Sequence, residues 1–143
     1  ASNRTIAAWV PLQAGPLDMG PLAFVAGSQH VEFGRDLGIS DESEHAITAN
    51  MEAHGFRVVD EPFDLGEVSF HSGWTFHRAG PNRSTRPRAV MTVIYMDRDM
   101  RLKAPDNPMQ QADRERWCTG AVIGEVIDTP GNPILFEAKV ATA

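Results

Sequence analysis

The chain has 143 residues, the size of one domain that can bury a sizeable hydrophobic core. Its 13 basic and 19 acidic residues give a net charge of -6, and neither a long basic segment nor a run of roughly 20 apolar residues is present, which argues against nucleic acid and membrane as partners. The single cysteine, Cys118, cannot form an internal disulfide, as is typical of proteins in the reducing cytoplasm.

The first part of the chain has the pattern of short strands interrupted by one helix. Apolar runs predict strands at 6–12 and 22–25, with Gly-Pro turns between them. A helix is predicted over 41–54, with Asp41 as its N-cap and Gly55 as its stop. Because its apolar stripe is narrow, we interpret this helix as a surface insertion between strands.

Strand patterns resume in the middle of the chain, at 56–60 and 67–70, and a β-hairpin is predicted over 77–96. A second helix is predicted over 107–119, with Trp117 packed inward. Short strands with frequent turns and without regular βαβ alternation are typical of a mainly β fold of the jelly-roll type.

The predicted hairpin places two chemically informative residues together. If it is symmetric about the Asn82–Arg83 bond, His77 faces Arg88 with Cβ atoms roughly 5 Å apart. A neutral imidazole binds divalent transition metals, and a guanidinium holds a carboxylate through two parallel hydrogen bonds. The pair therefore predicts a metal beside a dicarboxylate that arginine holds at its far end.

Several motifs occur around this pair in a characteristic order. They are Ala8-Trp9, Gly20-Pro21-Leu22, Gly27-Ser28, Gly66 to His71, Gly73 to His77, Gly80-Pro81-Asn82 and Arg86-Pro87-Arg88. Together they resemble the phytanoyl-CoA dioxygenase family of iron(II)- and 2-oxoglutarate-dependent oxygenases. The resemblance extends over residues 7–96 and is weak in the tail. It implies a double-stranded β-helix fold with Fe(II) and 2-oxoglutarate as cofactors.

By this resemblance, His77 matches the distal histidine that ligates iron, and Arg88 matches the arginine that binds the far carboxylate of 2-oxoglutarate. Trp9 matches a tryptophan beside that co-substrate. Ala79 stands where the family often carries a serine that helps to hold the co-substrate, so this hydrogen bond is missing or comes from another group. Arg86 shares strand parity with Arg88 and is its main rival for the carboxylate.

The family's other two iron ligands form a His-x-Asp unit shortly before the Ala-Trp strand, and this chain begins eight residues before Trp9. We therefore expect the chain to be the carboxy-terminal portion of such an oxygenase, 1–143 being a single domain without its first strands. An open sheet edge of this kind predicts a homo-oligomer or a strand-exchanged dimer. One imidazole alone is expected to hold iron weakly, if at all.

Other histidines offer alternative ligands. His30 and Glu32 have His-x-acid spacing, but their position after Gly27-Ser28 favours a loop. His71 is interpreted as structural, although His71 and His77 together would suit a cupin-like metal enzyme. His45 and His54 lie on the first helix pattern and are predicted to be solvated.

Two classes of function follow. The preferred one is a dioxygenase that hydroxylates a small organic substrate, by the mechanism that the resemblance implies. The alternative is a non-catalytic jelly-roll module, or a degenerate relative, that binds a small molecule without turnover. Arg78, Arg83 and Arg86 would attract an anionic substrate or, in the interpretation we favour, form a solvated turn.

Overall fold

The structure, a computed structural model, describes residues 4–137. Its backbone divides into two compact units, one formed by Thr5–Tyr95 and the other by Arg4 with the described residues from Met96 onward. Neither α-helix in the described part of the chain combines the length and apolarity that crossing a membrane requires.

The larger unit contains two three-stranded sheets, apart from Met96 at the end of the last strand. Their strands are β1 (Thr5–Pro11), β2 (Leu22–Val25), β3 (Val58–Val59), β4 (Ser69–Ser72), β5 (His77–Ala79) and β6 (Val90–Met96). β1 lies between β4 and β6 in one sheet, and β2 lies between β3 and β5 in the other. The sheets face each other, since the ring centroids of Phe24 on β2 and His71 on β4 are 4.9 Å apart. The predicted jelly-roll architecture is confirmed.

The predicted hairpin over 77–96 is wrong. β5 pairs with β2, where His77 lies opposite Phe24, whereas β6 joins the other sheet beside β1. His77 and Arg88 are therefore not cross-strand neighbours. The turn residues between them close a local connection, in which Asn82 Nδ2 donates to the carbonyl of Arg86 at 2.7 Å. That connection leads from one sheet to the other and does not fold β6 back onto β5.

The predicted strands at 6–12 and 22–25 are confirmed, whereas 56–60 shortens to Val58–Val59 and 67–70 shifts to Ser69–Ser72. The first predicted helix is confirmed as α1 (Asp41–Ala53), but its N-cap is Ser40 and not Asp41. Ser40 Oγ accepts a hydrogen bond from the Ser43 amide at 3.2 Å. Serine and aspartate cap equally well, so the sequence alone did not distinguish two adjacent candidates.

The smaller unit contains α2 (Pro108–Trp117). Asn107 caps it by accepting from the Gln110 amide at 2.9 Å, as the Asn-Pro start predicted. The inward packing predicted for Trp117 is wrong. Its side chain is 60% exposed and lies under the guanidinium of Arg116, 4.8 Å from the ring centroid. The last apolar run of the sequence, 134–140, lies partly outside the described residues.

Apolar side chains remain exposed on the outer face of the β4-β1-β6 sheet. Ile6 and Phe70 are on the same face and are 51% and 65% exposed. Among residues 4–137, no strand covers the outer edge of β4. Exposed apolar surface beside an open sheet edge is a common basis of association between protein chains.

We therefore expect the chain to self-associate through this face, and Phe70→Lys to produce a smaller species, because a lysine side chain opposes apolar burial there. Light scattering at micromolar concentration measures the mass. Leu65→Lys, which places the same charge at an apolar position in a loop, serves as the control and should behave as the unmodified chain. A monodisperse monomer of the unmodified chain would contradict the expectation.

Candidate functional site

The alternation of side chains along β1 and β4 defines an inner face of their sheet. Trp9 pairs with Ser69, and His71, two residues further along β4, lies on the same face. This face is directed toward the other sheet because the rings of His71 and His77 lie 4.8 Å apart, centroid to centroid. The structure thus brings Trp9, Ser69 and the two histidines to the space between the sheets.

His77 begins β5 in an orientation that suits a metal ligand. Its Nδ1 lies 2.8 Å from the carbonyl oxygen of Thr75. When Nδ1 carries the proton and donates it to that carbonyl, Nε2 keeps its lone pair for a metal. Within the described part of the chain, Nε2 has no hydrogen-bond partner.

Ser28 and Arg35 hold the turn that leads into β5. The fully buried Ser28 accepts a hydrogen bond from the Phe76 amide through its Oγ at 2.8 Å. The Arg35 guanidinium donates to the Ser28 carbonyl at 2.8 Å and stacks over the Phe76 ring at 4.1 Å. This cluster fixes the backbone one residue before His77. Sequence reasoning missed both residues, and only the Gly27-Ser28 motif pointed to the region.

Ser28→Ala should destabilise the protein by about 1 to 3 kcal/mol, because it leaves the Phe76 amide without an acceptor in a buried environment. Chemical denaturation measures the change in the free energy of unfolding. Ser43→Ala removes a hydroxyl from a helix position and should change stability by no more than about 0.5 kcal/mol. Equal effects of the two substitutions would show that Ser28 does not anchor the turn.

The inner face also carries polar atoms without partners. Neither His71 Nδ1 nor Ser69 Oγ, both of which are buried, has a hydrogen-bond partner among residues 4–137. Burial lowers the pKa of His71, and the neighbouring His77 lowers it further, so the neutral imidazole is favoured. Buried polar atoms are seldom left unpaired in proteins, and these two mark a place where a ligand or ordered water would complete their bonding.

Arg88 is half-buried and reaches fixed acceptors. Its Nη1 donates to the carbonyls of Met19 at 3.2 Å and Gly80 at 3.3 Å, and more closely to that of Gly20. Its Nε and Nη2 have no acceptor in the described region. Arg86, the rival candidate, is exposed. The two arginines therefore differ in environment, which favours Arg88 as the interior cation.

A close crossing of two backbone segments creates the acceptors of Arg88. Gly20 has a φ of 67°, and a Cβ atom there would lie 2.7 Å from the carbonyl carbon of Gly80 and 2.9 Å from the carbonyl oxygen of Pro81. Only glycine tolerates both this conformation and this approach. Trp9 and Arg88 line the same small cavity beside the crossing, so two predicted co-substrate residues lie together.

The remaining candidates lie elsewhere. His30 ends a short 3-10 helix (Ser28–His30) and is exposed, as a loop histidine would be. His45 on α1 and His54, the C-cap residue of that helix, are exposed, as predicted. Arg78 forms an ion pair with Glu44 at 2.6 Å and is not simply solvated. Residues 4–137 contain no group of three His, Cys, Asp or Glu side chains positioned to hold a metal ion.

Two facing antiparallel sheets with this inner face define a fold of the cupin-like 2-oxoglutarate oxygenases. The chain belongs to the phytanoyl-CoA dioxygenase (PhyH) family, whose model matches residues 1–90. This finding confirms the resemblance on which the site residues were predicted. No curated protein sequence gives a significant match to the chain.

Three solved structures are similar to the chain. The non-heme alpha ketoglutarate dependent epimerase SnoN from nogalamycin biosynthesis has a TM-score of 0.66 at 22% identity, covering 92% of this chain and 47% of that one. SnoN in complex with Fe3+, alpha ketoglutarate and nogalamycin RO has a TM-score of 0.70 at 25% identity, covering 92% and 50%. The carbocyclase SnoK from the same biosynthesis has a TM-score of 0.66 at 24% identity, covering 90% and 47%. The chain spans about half the length of these proteins.

Proposed function

We propose that the chain carries one side of the active site of an iron(II)- and 2-oxoglutarate-dependent oxygenase that hydroxylates a small organic substrate. In this proposal His77 is an iron ligand, Arg88 binds the far carboxylate of 2-oxoglutarate, and Trp9 packs beside the co-substrate. The orientation of His77 carries the proposal, because the Thr75 carbonyl 2.8 Å from Nδ1 leaves Nε2 for a metal.

The side chains of this chain supply part of the groups that iron(II) and 2-oxoglutarate need. Arg88 keeps Nε and Nη2 available, and these two groups form the edge of a guanidinium that binds a carboxylate through two parallel hydrogen bonds. One imidazole does not hold iron(II) tightly, and residues 4–137 contain no group of three His, Cys, Asp or Glu side chains positioned to hold a metal ion. When bound, iron would supply the activation of dioxygen. The residues of this chain would hold and orient the co-substrate.

The family and the similar structures support an oxygenase-like enzyme. The type of reaction, hydroxylation, is proposed. SnoN is an epimerase and SnoK is a carbocyclase, so enzymes of this fold carry out more than one transformation. Hydroxylation is the reaction that the resemblance to the family implies. Analysis of the product by mass spectrometry distinguishes it, because only hydroxylation adds one oxygen atom to the substrate.

A non-catalytic binding module is the second candidate, and one observation favours it. Arg88 Nη1 already has three backbone acceptors, so the buried guanidinium is satisfied in part without a carboxylate. A module of this kind would retain the fold and the cavity without turnover. A test for turnover separates the two candidates, because the module would bind its ligand without converting it.

We expect the chain to bind a divalent metal weakly, and His77→Gln to remove that binding, because Nε2 of His77 is the proposed ligand. Calorimetric titration with Co(II) measures the affinity, and His45→Gln, at an exposed helix position, is the control. Metal binding that survives His77→Gln would contradict the assignment. Full metal occupancy with His30 and Glu32 as ligands would also do so.

In a form of the protein that carries the complete set of iron ligands, Arg88→Ala should weaken 2-oxoglutarate binding by about 2 to 5 kcal/mol, because it removes the partner of a desolvated carboxylate. Calorimetry in the presence of Co(II) measures the affinity. Arg86→Ala removes an exposed arginine two residues away and should have little effect. Equal losses from the two substitutions would favour the binding module.

A further inference from the structure

The hydroxyl group of Ser69 has no structural role among the described residues. Its Oγ is buried and has no hydrogen-bond partner between residues 4 and 137. Such a group weakens the fold unless a ligand or an ordered water completes its bonding. Ser69 lies on the inner face of β4, opposite Trp9 on β1.

The position of Ser69 relative to β5 follows from the contact between the two histidines. β4 and β5 are joined by a short turn, and the rings of His71 and His77, on either side of it, are 4.8 Å apart. Two residues further from the turn, Ser69 on β4 lies on the face that carries His71, and Ala79 on β5 lies on the face that carries His77. These two residues thus occupy equivalent steps along the space between the sheets.

A co-substrate that bridges His77, the proposed iron ligand, and Arg88 would pass close to Ser69 and Ala79. Arg88 binds the carbonyl of Gly80, which directly follows Ala79, at 3.3 Å. Trp9, the cross-strand partner of Ser69, lines the same cavity as Arg88. Ser69 thus has Trp9, which lines the Arg88 cavity, as its cross-strand partner, and His71, which contacts His77, two residues away on the same face, whereas Ala79 offers no donor.

We propose that the Ser69 hydroxyl donates the hydrogen bond to a carboxylate of the co-substrate that Ala79 cannot provide. The inference rests on the proposed function, because it identifies the acceptor as 2-oxoglutarate. It makes Ser69 a binding residue of that site and gives its buried hydroxyl an acceptor. A buried water would use the same hydrogen-bonding capacity without contributing to co-substrate affinity.

Affinity for 2-oxoglutarate tests the proposal in the protein with its complete iron ligands and with Co(II) in place of iron. Ser69→Ala should weaken binding about tenfold, as expected for the loss of one hydrogen bond to a charged group. Adding Ala79→Ser should restore most of the loss, because it returns a hydroxyl to the same step of the site. Ser72→Ala, on the opposite face of β4, should leave the affinity unchanged.

Thermal unfolding without 2-oxoglutarate distinguishes a binding role from a structural one. Ser69→Ala should leave the midpoint unchanged or raise it, because the hydroxyl it removes is unpaired in the unliganded fold. A lowered midpoint together with unchanged affinity would overturn the proposal. If Arg88→Ala weakens binding and Ser69→Ala does not, only the assignment of Ser69 fails. If the unmodified protein does not bind 2-oxoglutarate at all, the proposed function fails with it.

Discussion

The half-buried guanidinium of Arg88 is the interaction on which the rest of the site depends. It binds the carbonyl groups of Gly20, two residues before β2, and of Gly80, which directly follows β5, and Arg88 itself lies two residues before β6. A buried cation is costly unless it is paired, so these bonds favour the arrangement in which three strand ends meet. Gly20 makes this possible, since any Cβ atom there would overlap the crossing backbone.

The opposite end of the site is fixed by a different set of contacts. Ser28, Arg35 and Phe76 hold the turn before β5, so His77 begins its strand in a defined position. Both ends of the proposed co-substrate site are thus anchored by loop residues that reach the backbone, while the strands between them provide the spacing.

Local sequence patterns were sufficient for the elements but not for their pairing. The strand patterns at 6–12 and 22–25 and both helices could be predicted, because alternation, caps and turn residues are local signals. The hairpin failed because adjacency in sequence does not determine which sheet a strand joins. The contacts of Arg88 and the burial of the Ser69 hydroxyl depend on residues distant in sequence, so no local pattern predicts them.

The charges at the two ends of the site determine what each end can hold. Arg88 carries a guanidinium group, which can balance a carboxylate. At the other end, burial and the neighbouring His77 lower the pKa of His71, which favours its neutral imidazole. A neutral His71 neither repels a divalent cation at His77 nor balances a carboxylate there. A dicarboxylate bound between the sheets would therefore need the charge of a metal at the histidine end, which makes its binding depend on prior binding of the metal.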